Sequence, residues 1–140
     1  MKKFGLSKQE RIKSKNDFRK VYSFGKVLIS KQGNLKVTYY CEENSEESGV
    51  KAAFAVHRKS GKAVWRNRVR RLLKESYRKN KLELKQSSQN YNLLLLLVFS
   101  LYSINQKKNP KIALKNLEPD AIDLIRQITN QIVNKYGKTS

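Results

Sequence analysis

Acidic side chains are scarce in this chain: 11 Asp and Glu stand against 31 Lys and Arg, a formal net charge of +20 over 140 residues. There is one cysteine, Cys41, which excludes an intramolecular disulfide and a Cys-rich zinc site and suits a reducing compartment. There is one histidine, His57, read as a polar strand-end residue, so metal binding and His-dependent acid/base chemistry have little to work with. The longest apolar run, Leu93 to Phe99, falls far short of the roughly 20 residues needed to span a bilayer. Met1-Lys2-Lys3 is not followed by an apolar stretch, so no signal peptide is expected, and the expected location is cytoplasmic with no membrane partner. Neither a Walker-type loop nor a G-x-G-x-x-G fingerprint is present, and no carboxylate pair suggests acid/base catalysis. Glu42, Glu43, Glu46 and Glu47 cluster in what reads as a solvated loop rather than a cation site.

What is present is positive charge, unevenly placed. Residues 1–26 net +7, 27–56 net −1, 57–81 net +10 and 82–140 net +4. Such an excess costs a compact chain self-repulsion unless a polyanion neutralises it. Two basic segments flanking a near-neutral one look like two sides of one binding surface.

The densest segment is also amphipathic. At about 100° per residue, Trp65, Val69, Leu72, Leu73 and Ser76 share one arc of a helix, while Asn67, Arg70, Arg71, Lys74 and Arg78 share the other, with Arg66, Arg68 and Lys79 at its edges. The i, i+4 cation pairs 66/70, 70/74 and 74/78 each disfavour the isolated helix by roughly 0.2–0.5 kcal/mol. Arginine, which dominates 66–71, makes paired bonds to phosphate that lysine cannot. A polyphosphate partner follows.

The remaining elements are readable in outline. Lys8 to Lys15 is expected to be irregular. A short basic helix over Asp17–Phe24 has Ser14 or Asn16 as cap and Gly25 as stop, and carries Phe18, Tyr22 and Phe24, each either core or a surface on which RNA bases stack. Strands are expected at Lys26–Ser30, Leu35–Cys41 and Val50–His57, the last two joined as a hairpin through the acidic loop 42–49. On the third strand Phe54 and Val56 face the core, with Ala53 and Ala55 on the other face. Lys81–Asn90 continues or frays the basic helix, Tyr91–Leu101 is a strand buried on both faces, and Asn105–Pro110 is a loop. After Pro119-Asp120 a closing helix carries Ile122, Ile125, Ile128, Thr129, Ile132 and Val133 inward and stops at Gly137. The fold class is α+β, a single domain in the order α-β-β-β-α-β-α with residues 1–10 and 137–140 as flexible ends.

The run from Arg58-Lys59-Ser60-Gly61 through Trp65-Arg66-Asn67-Arg68-Val69-Arg70-Arg71 to Lys74-Glu75 resembles the signature of the protein subunit of bacterial ribonuclease P. Two further blocks agree in order: Arg11-Ile12-Lys13 with Asp17 to Tyr22 and Gly25, and the strand Val50–Val56. The resemblance implies an α/β sandwich, ribosomal protein S5 domain 2-like, with a left-handed βαβ crossover. It implies a ribonucleoprotein endonuclease in which the RNA subunit, not the protein, holds the catalytic Mg2+ and removes the 5′ leader of precursor tRNA. No protein catalytic residue, protein metal site or protein-bound cofactor is then expected, and the protein is a monomer, one per RNA. Positions matching RNA contacts are Arg58, Lys59, Arg66, Asn67, Arg68, Arg70, Arg71 and Lys74; those matching the leader cleft are Phe18 and Tyr22, with Arg66 and Arg70 on the other wall. The sequence departs from the pattern at Val98-Phe99-Ser100, which is neutral where a basic residue is usual, and in a long Tyr102–Leu117 connection. Two other readings remain: a ribosomal or ribosome-assembly protein, and a DNA-binding module. The latter is disfavoured because cations outnumber base-reading side chains on the helix.

Overall fold

The computed structural model describes residues 6–137. Four strands form one sheet in the order β1-β2-β4-β3, with β1 at Lys26–Ile29, β2 at Leu35–Glu42, β3 at Gly49–Ala55 and β4 at Leu94–Leu101. The helices are α1 (Lys15–Phe24), α2 (Ala63–Asn80), α3 (Leu82–Asn90) and α4 (Leu114–Tyr136). Residues 1–5 and 138–140, most of the two ends expected to be flexible, lie outside the described residues. Lys8–Glu10 form a single 3-10 turn.

β4 organises the sheet. Leu94 to Phe99 are all buried, so this strand belongs in the interior, flanked on both edges and covered on both faces. It pairs antiparallel with β2 (Tyr39 opposite Leu97) and parallel with β3 (Phe54 opposite Phe99). The expected β2–β3 hairpin is therefore corrected: the acidic loop joins strands that never pair, because β4 inserts between them. The parallel pair requires the crossover that the resemblance implies, and α2 and α3 supply it.

Side-chain alternation splits the sheet's two faces between two cores. Val37, Tyr39, Leu95, Leu97 and Phe99 face α2, α3 and α4, while Leu94, Leu96 and Val98 face α1 through Val21 and Phe18. As expected, Phe54 and Val56 join the larger core and Ala53 and Ala55 the smaller.

Two boundaries and one helix face differ from expectation. Residues 82–90 form a separate helix, α3, fixed by fully buried Leu84, rather than a frayed continuation of α2. α4 starts at Leu114, so Pro119 lies inside it: Asn116 Oδ1 accepts the Ala113 N–H at 2.8 Å, and Leu117 is fully buried, which secures the first turn ahead of the proline. The inward stripe of α4 is Leu117, Ala121, Leu124, Ile125, Ile128 and Ile132, whereas Val133 is exposed and Ile122 half-buried. Asp120 sits on that stripe, buried, and accepts from Ser30 Oγ at 2.5 Å and from the Asn34 N–H and Nδ2 at 3.2 and 3.3 Å. It thereby clamps the β1–β2 turn.

The chain before α1 is pinned as well. Ile12 N–H donates to Ala52 O at 3.2 Å along the outer edge of β3. Glu10 meets the buried Lys81 ammonium at 2.6 Å. Burial alone would raise the Glu10 carboxyl, but the Lys81 hydrogen bond, the Ser7 N–H and the charges of Lys81 and Lys85 hold it below its ordinary value.

Candidate nucleic-acid interface

A single 3-10 turn, Arg58–Ser60, leads from the end of β3 toward α2. His57 Nδ1 accepts the Lys59 N–H at 3.1 Å, capping the turn Arg58–Ser60, so the single histidine has a structural role. Gly61 follows in extended backbone, where a Cβ would lie 2.7 Å from the Trp65 ring and 2.8 Å from Gln106. Its small size, not its conformational freedom, is what the site needs. Gly25, the stop of α1, is similar: a Cβ there would meet Val21 O at 2.3 Å.

Trp65, Val69, Leu73, Ser76 and Tyr77 are the buried face of α2, with Leu72 half-buried beside them. Tyr77 was not foreseen as core. Its ring packs 5.9 Å from Phe54 and 5.6 Å from Phe99, and burial followed by the Glu10 charge pushes its phenol well above the usual range, so it stays neutral. Two polar anchors reinforce this face. Trp65 Nε1 donates to Asn109 O and Arg68 Nε to Ile112 O, both at 2.9 Å.

The outward face is cationic and unneutralised. Among the described residues, none of the eight basic side chains from Arg58 to Lys74 takes part in an ion pair. The nearby carboxylates are engaged further along, Glu75 with Arg78 at 3.3 Å and Glu118 with Lys79 at 3.8 Å. Arg70 donates to Asn67 Oδ1, Arg71 is exposed, and Lys74 is half-buried. Arg66 is also half-buried, and its Nε is the one buried side-chain nitrogen or oxygen among the described residues with no acceptor in the chain. A buried donor left unpaired costs roughly 1–3 kcal/mol, a penalty that an incoming phosphate oxygen removes.

On α1, Ser14 Oγ accepts the N–H groups of Asn16 and Asp17 at 3.0 and 3.3 Å, and Asp17 sits in the positive first turn. Val21 is the one buried residue of this helix. Phe18 and Tyr22 stack at 6.5 Å with an interplanar angle of 14°, Phe18 at the rim of the smaller core and Tyr22 60% exposed. Phe24, 73% exposed, tilts against Tyr40. Half-buried Ala53 and Ala55 keep the adjoining sheet surface shallow.

The eight positions around α2 thus gather on one element, and Phe18 and Tyr22 on another. α1 and α2 pack on opposite faces of the sheet, and among the described residues no hydrogen bond or ring contact joins Phe18 or Tyr22 to Arg66 or Arg70. Sequence reasoning missed Lys36. It lies on the α1 face directly opposite Ser100 in the β2–β4 register, with no ion pair among the described residues, and places a cation beside the neutral 98–100 edge. Val98 itself has to be apolar because α1 covers it.

Among the described residues no group of three or more His, Cys, Asp or Glu side chains converges, and no helix is long and apolar enough to cross a membrane. Burial first, with Glu43 adding, pushes the Cys41 thiol up, leaving it a poor nucleophile.

Comparison with known proteins gives a consistent answer. The fold is shared with the ribonuclease P protein of Thermotoga maritima (TM-score 0.64, 19% identity, 84% of this chain and 96% of that one). It is shared also with that of Staphylococcus aureus (TM-score 0.60, 18% identity, 91% and 97%). Ribonuclease P protein components of Clostridioides difficile (46% identical over 69 residues) and Clostridium novyi (29% over 122 residues, 87% of this chain and 96% of that protein) resemble it in sequence. The chain spans 56% of the length of the C. difficile protein and 63% of that from Macrococcus caseolyticus. The family sequence profile described as Ribonuclease P matches residues 6–115. This chain belongs to the ribonuclease P protein family.

Proposed function

We propose that this protein is the protein subunit of a ribonuclease P ribonucleoprotein, binding the catalytic RNA and the 5′ leader of precursor tRNA and promoting removal of that leader. The observation that carries the reading is the run of eight basic residues from Arg58 to Lys74 with no ion pair among the described residues, on a helix whose other face is locked to the core. With no carboxylate to give up, these side chains are available to phosphates, and among the described residues only Arg68 and Arg70 of the run carry internal side-chain hydrogen bonds, to Ile112 O and Asn67 Oδ1. Arg58, Lys59, Arg66, Asn67, Arg68, Arg70, Arg71 and Lys74 contact the catalytic RNA. Phe18 and Tyr22 stack on leader bases, which tolerates any leader sequence and contributes about 1–3 kcal/mol per base. Arg66 and Arg70 form the second wall of the leader path when RNA bridges the two faces.

The hydrolysis belongs to the RNA subunit and the Mg2+ it holds; the protein positions substrate and neutralises charge. One monomer serves each RNA, in the cytoplasm. The test is reconstitution: purified protein is added to catalytic ribonuclease P RNA at moderate magnesium, and 5′ leader removal is followed. Stimulated cleavage supports the reading. No stimulation, together with stoichiometric association with ribosomes, would favour a ribosomal or ribosome-assembly role instead.

A further inference from the structure

The long connection between β4 and α4 is built onto the α2 site rather than looping free. Four polar contacts fasten it there. Gln106 N–H donates to Ser60 O at 2.8 Å, and Gln106 Oε1 accepts the Lys62 N–H at 2.7 Å. Asn109 O and Ile112 O accept from Trp65 and Arg68, both at 2.9 Å. Ile104 and Ile112 are buried at either end, and Lys108 N–H closes a local turn on Asn105 Oδ1 at 2.9 Å. Arg68, a residue of the signature, thus holds this connection through its Nε although the residue as a whole is exposed.

What the connection presents outward is charge of one sign. Residues 102–113 contain three lysines and no Asp or Glu, and Lys115 follows in the first turn of α4. Lys107, Lys108, Lys111 and Lys115 are all exposed, and among the described residues none is in an ion pair. Between residues 105–107 and the 58–62 turn lies an open cleft of about 590 Å³ where Lys107 faces Arg58, Lys59 and Lys62. No apolar side chain lines it, which suits a sugar-phosphate backbone and not the aromatic and aliphatic anchors that protein partners bring.

We propose that the 102–113 connection is a second RNA-binding element, whose lysines grip backbone phosphates of the same structured RNA held by the outward face of α2. This rests on the reading of α2 as the surface for the catalytic RNA. The choice of structured RNA over the leader follows from placement: the connection is fastened to α2, on the sheet face opposite Phe18 and Tyr22.

The experiment compares the triple variant Lys107→Gln, Lys108→Gln, Lys111→Gln with the double variant Arg70→Gln, Lys74→Gln. Affinity for ribonuclease P RNA is measured from 0.05 to 0.3 M salt, and affinity of the assembled holoenzyme for precursors of differing leader length is measured beside it. All three lysines are exposed, so the thermal melt should be unchanged. The proposal expects the triple variant to bind ribonuclease P RNA more weakly, on the order of tenfold, with a fall of about 2.1–2.7 in the slope of log K against log salt for three lost phosphate contacts. Leader-length dependence should stay as in the parent protein. An unchanged triple variant beside a weakened double variant would overturn the loop's role and leave the α2 reading standing. Unchanged binding by both would remove the α2 reading as well. Loss of affinity for precursor alone, with ribonuclease P RNA held normally, would assign the lysines to substrate and overturn the proposal.

Discussion

Replacing Arg70 and Lys74 by glutamine should move stability and RNA binding in opposite directions. In the free protein neither residue has an ion-pair partner among the described residues, and Arg70 has one side-chain hydrogen bond, to Asn67. The pair takes part in three like-charge i, i+4 contacts, 66/70, 70/74 and 74/78, which together oppose the helix by roughly 1 kcal/mol at low salt. Losing the exposed Asn67 bond returns about 0.5 kcal/mol. Glutamine keeps nearly the same helix propensity. The folded protein should therefore gain a few tenths of a kcal/mol, read as a slightly higher urea midpoint at constant slope. Binding of ribonuclease P RNA, titrated over a salt series, should weaken, with the slope of log K against log salt falling by about 1.4–1.8 for two lost phosphate contacts. A variant destabilised by more than about 1 kcal/mol, or one whose salt slope does not change, would refute the assignment of this face to RNA.

Other perturbations address separate parts of the molecule. Phe18→Ala should weaken holoenzyme affinity for long-leader precursors by about 1 kcal/mol or more while leaving mature tRNA nearly unaffected; equal losses for both would return Phe18 to a packing role. Because the Glu10 carboxyl is held below its ordinary value of 4.5, it stabilises the fold fully above that value, and the contribution disappears as pH falls through its folded-state pKa. Glu10→Gln should accordingly flatten the acid limb of a stability-against-pH profile below about pH 4.5, and an unaltered limb would mean the Lys81 pair contributes nothing. Asp120→Ala strands the Ser30 hydroxyl and the Asn34 donors in a buried site, so urea unfolding should show a loss of about 2–3 kcal/mol; a loss under 0.5 would show the β1–β2 turn is held by other contacts.

Much of α2 was legible because its periodicity is local. The spacing of Trp65, Val69 and Leu73 fixes which arc is buried, and the cations then have only one direction to face. β4 was legible for the same reason, since an unbroken run such as Leu93–Phe99 fits only a strand covered on both sides. The hairpin misreading shows where local pattern stops. Glu42 to Gly49 has the composition of a tight turn, but strand pairing was decided by β4, more than 40 residues later, which needed both neighbouring edges. The start of α4 is not legible locally: Pro119-Asp120 has the form of a helix start, whereas Asn116 and Leu117 stabilise a turn before it. Within the site, the exposure of Tyr22 and Phe24 and the attachment of the 102–113 connection depend on tertiary packing. The Trp65–Asn109 and Arg68–Ile112 bonds each join residues 44 positions apart, a distance over which periodicity carries no information.

The most direct test of the central claim is arginine-selective chemical modification of the folded protein, quantified residue by residue by mass spectrometry, with and without ribonuclease P RNA. Arg66, Arg70 and Arg71 should be strongly protected by the RNA, while Arg126, exposed on α4, should react equally in both states. Equal reactivity of the α2 arginines with and without RNA, or protection of Arg126 in their place, would contradict the account.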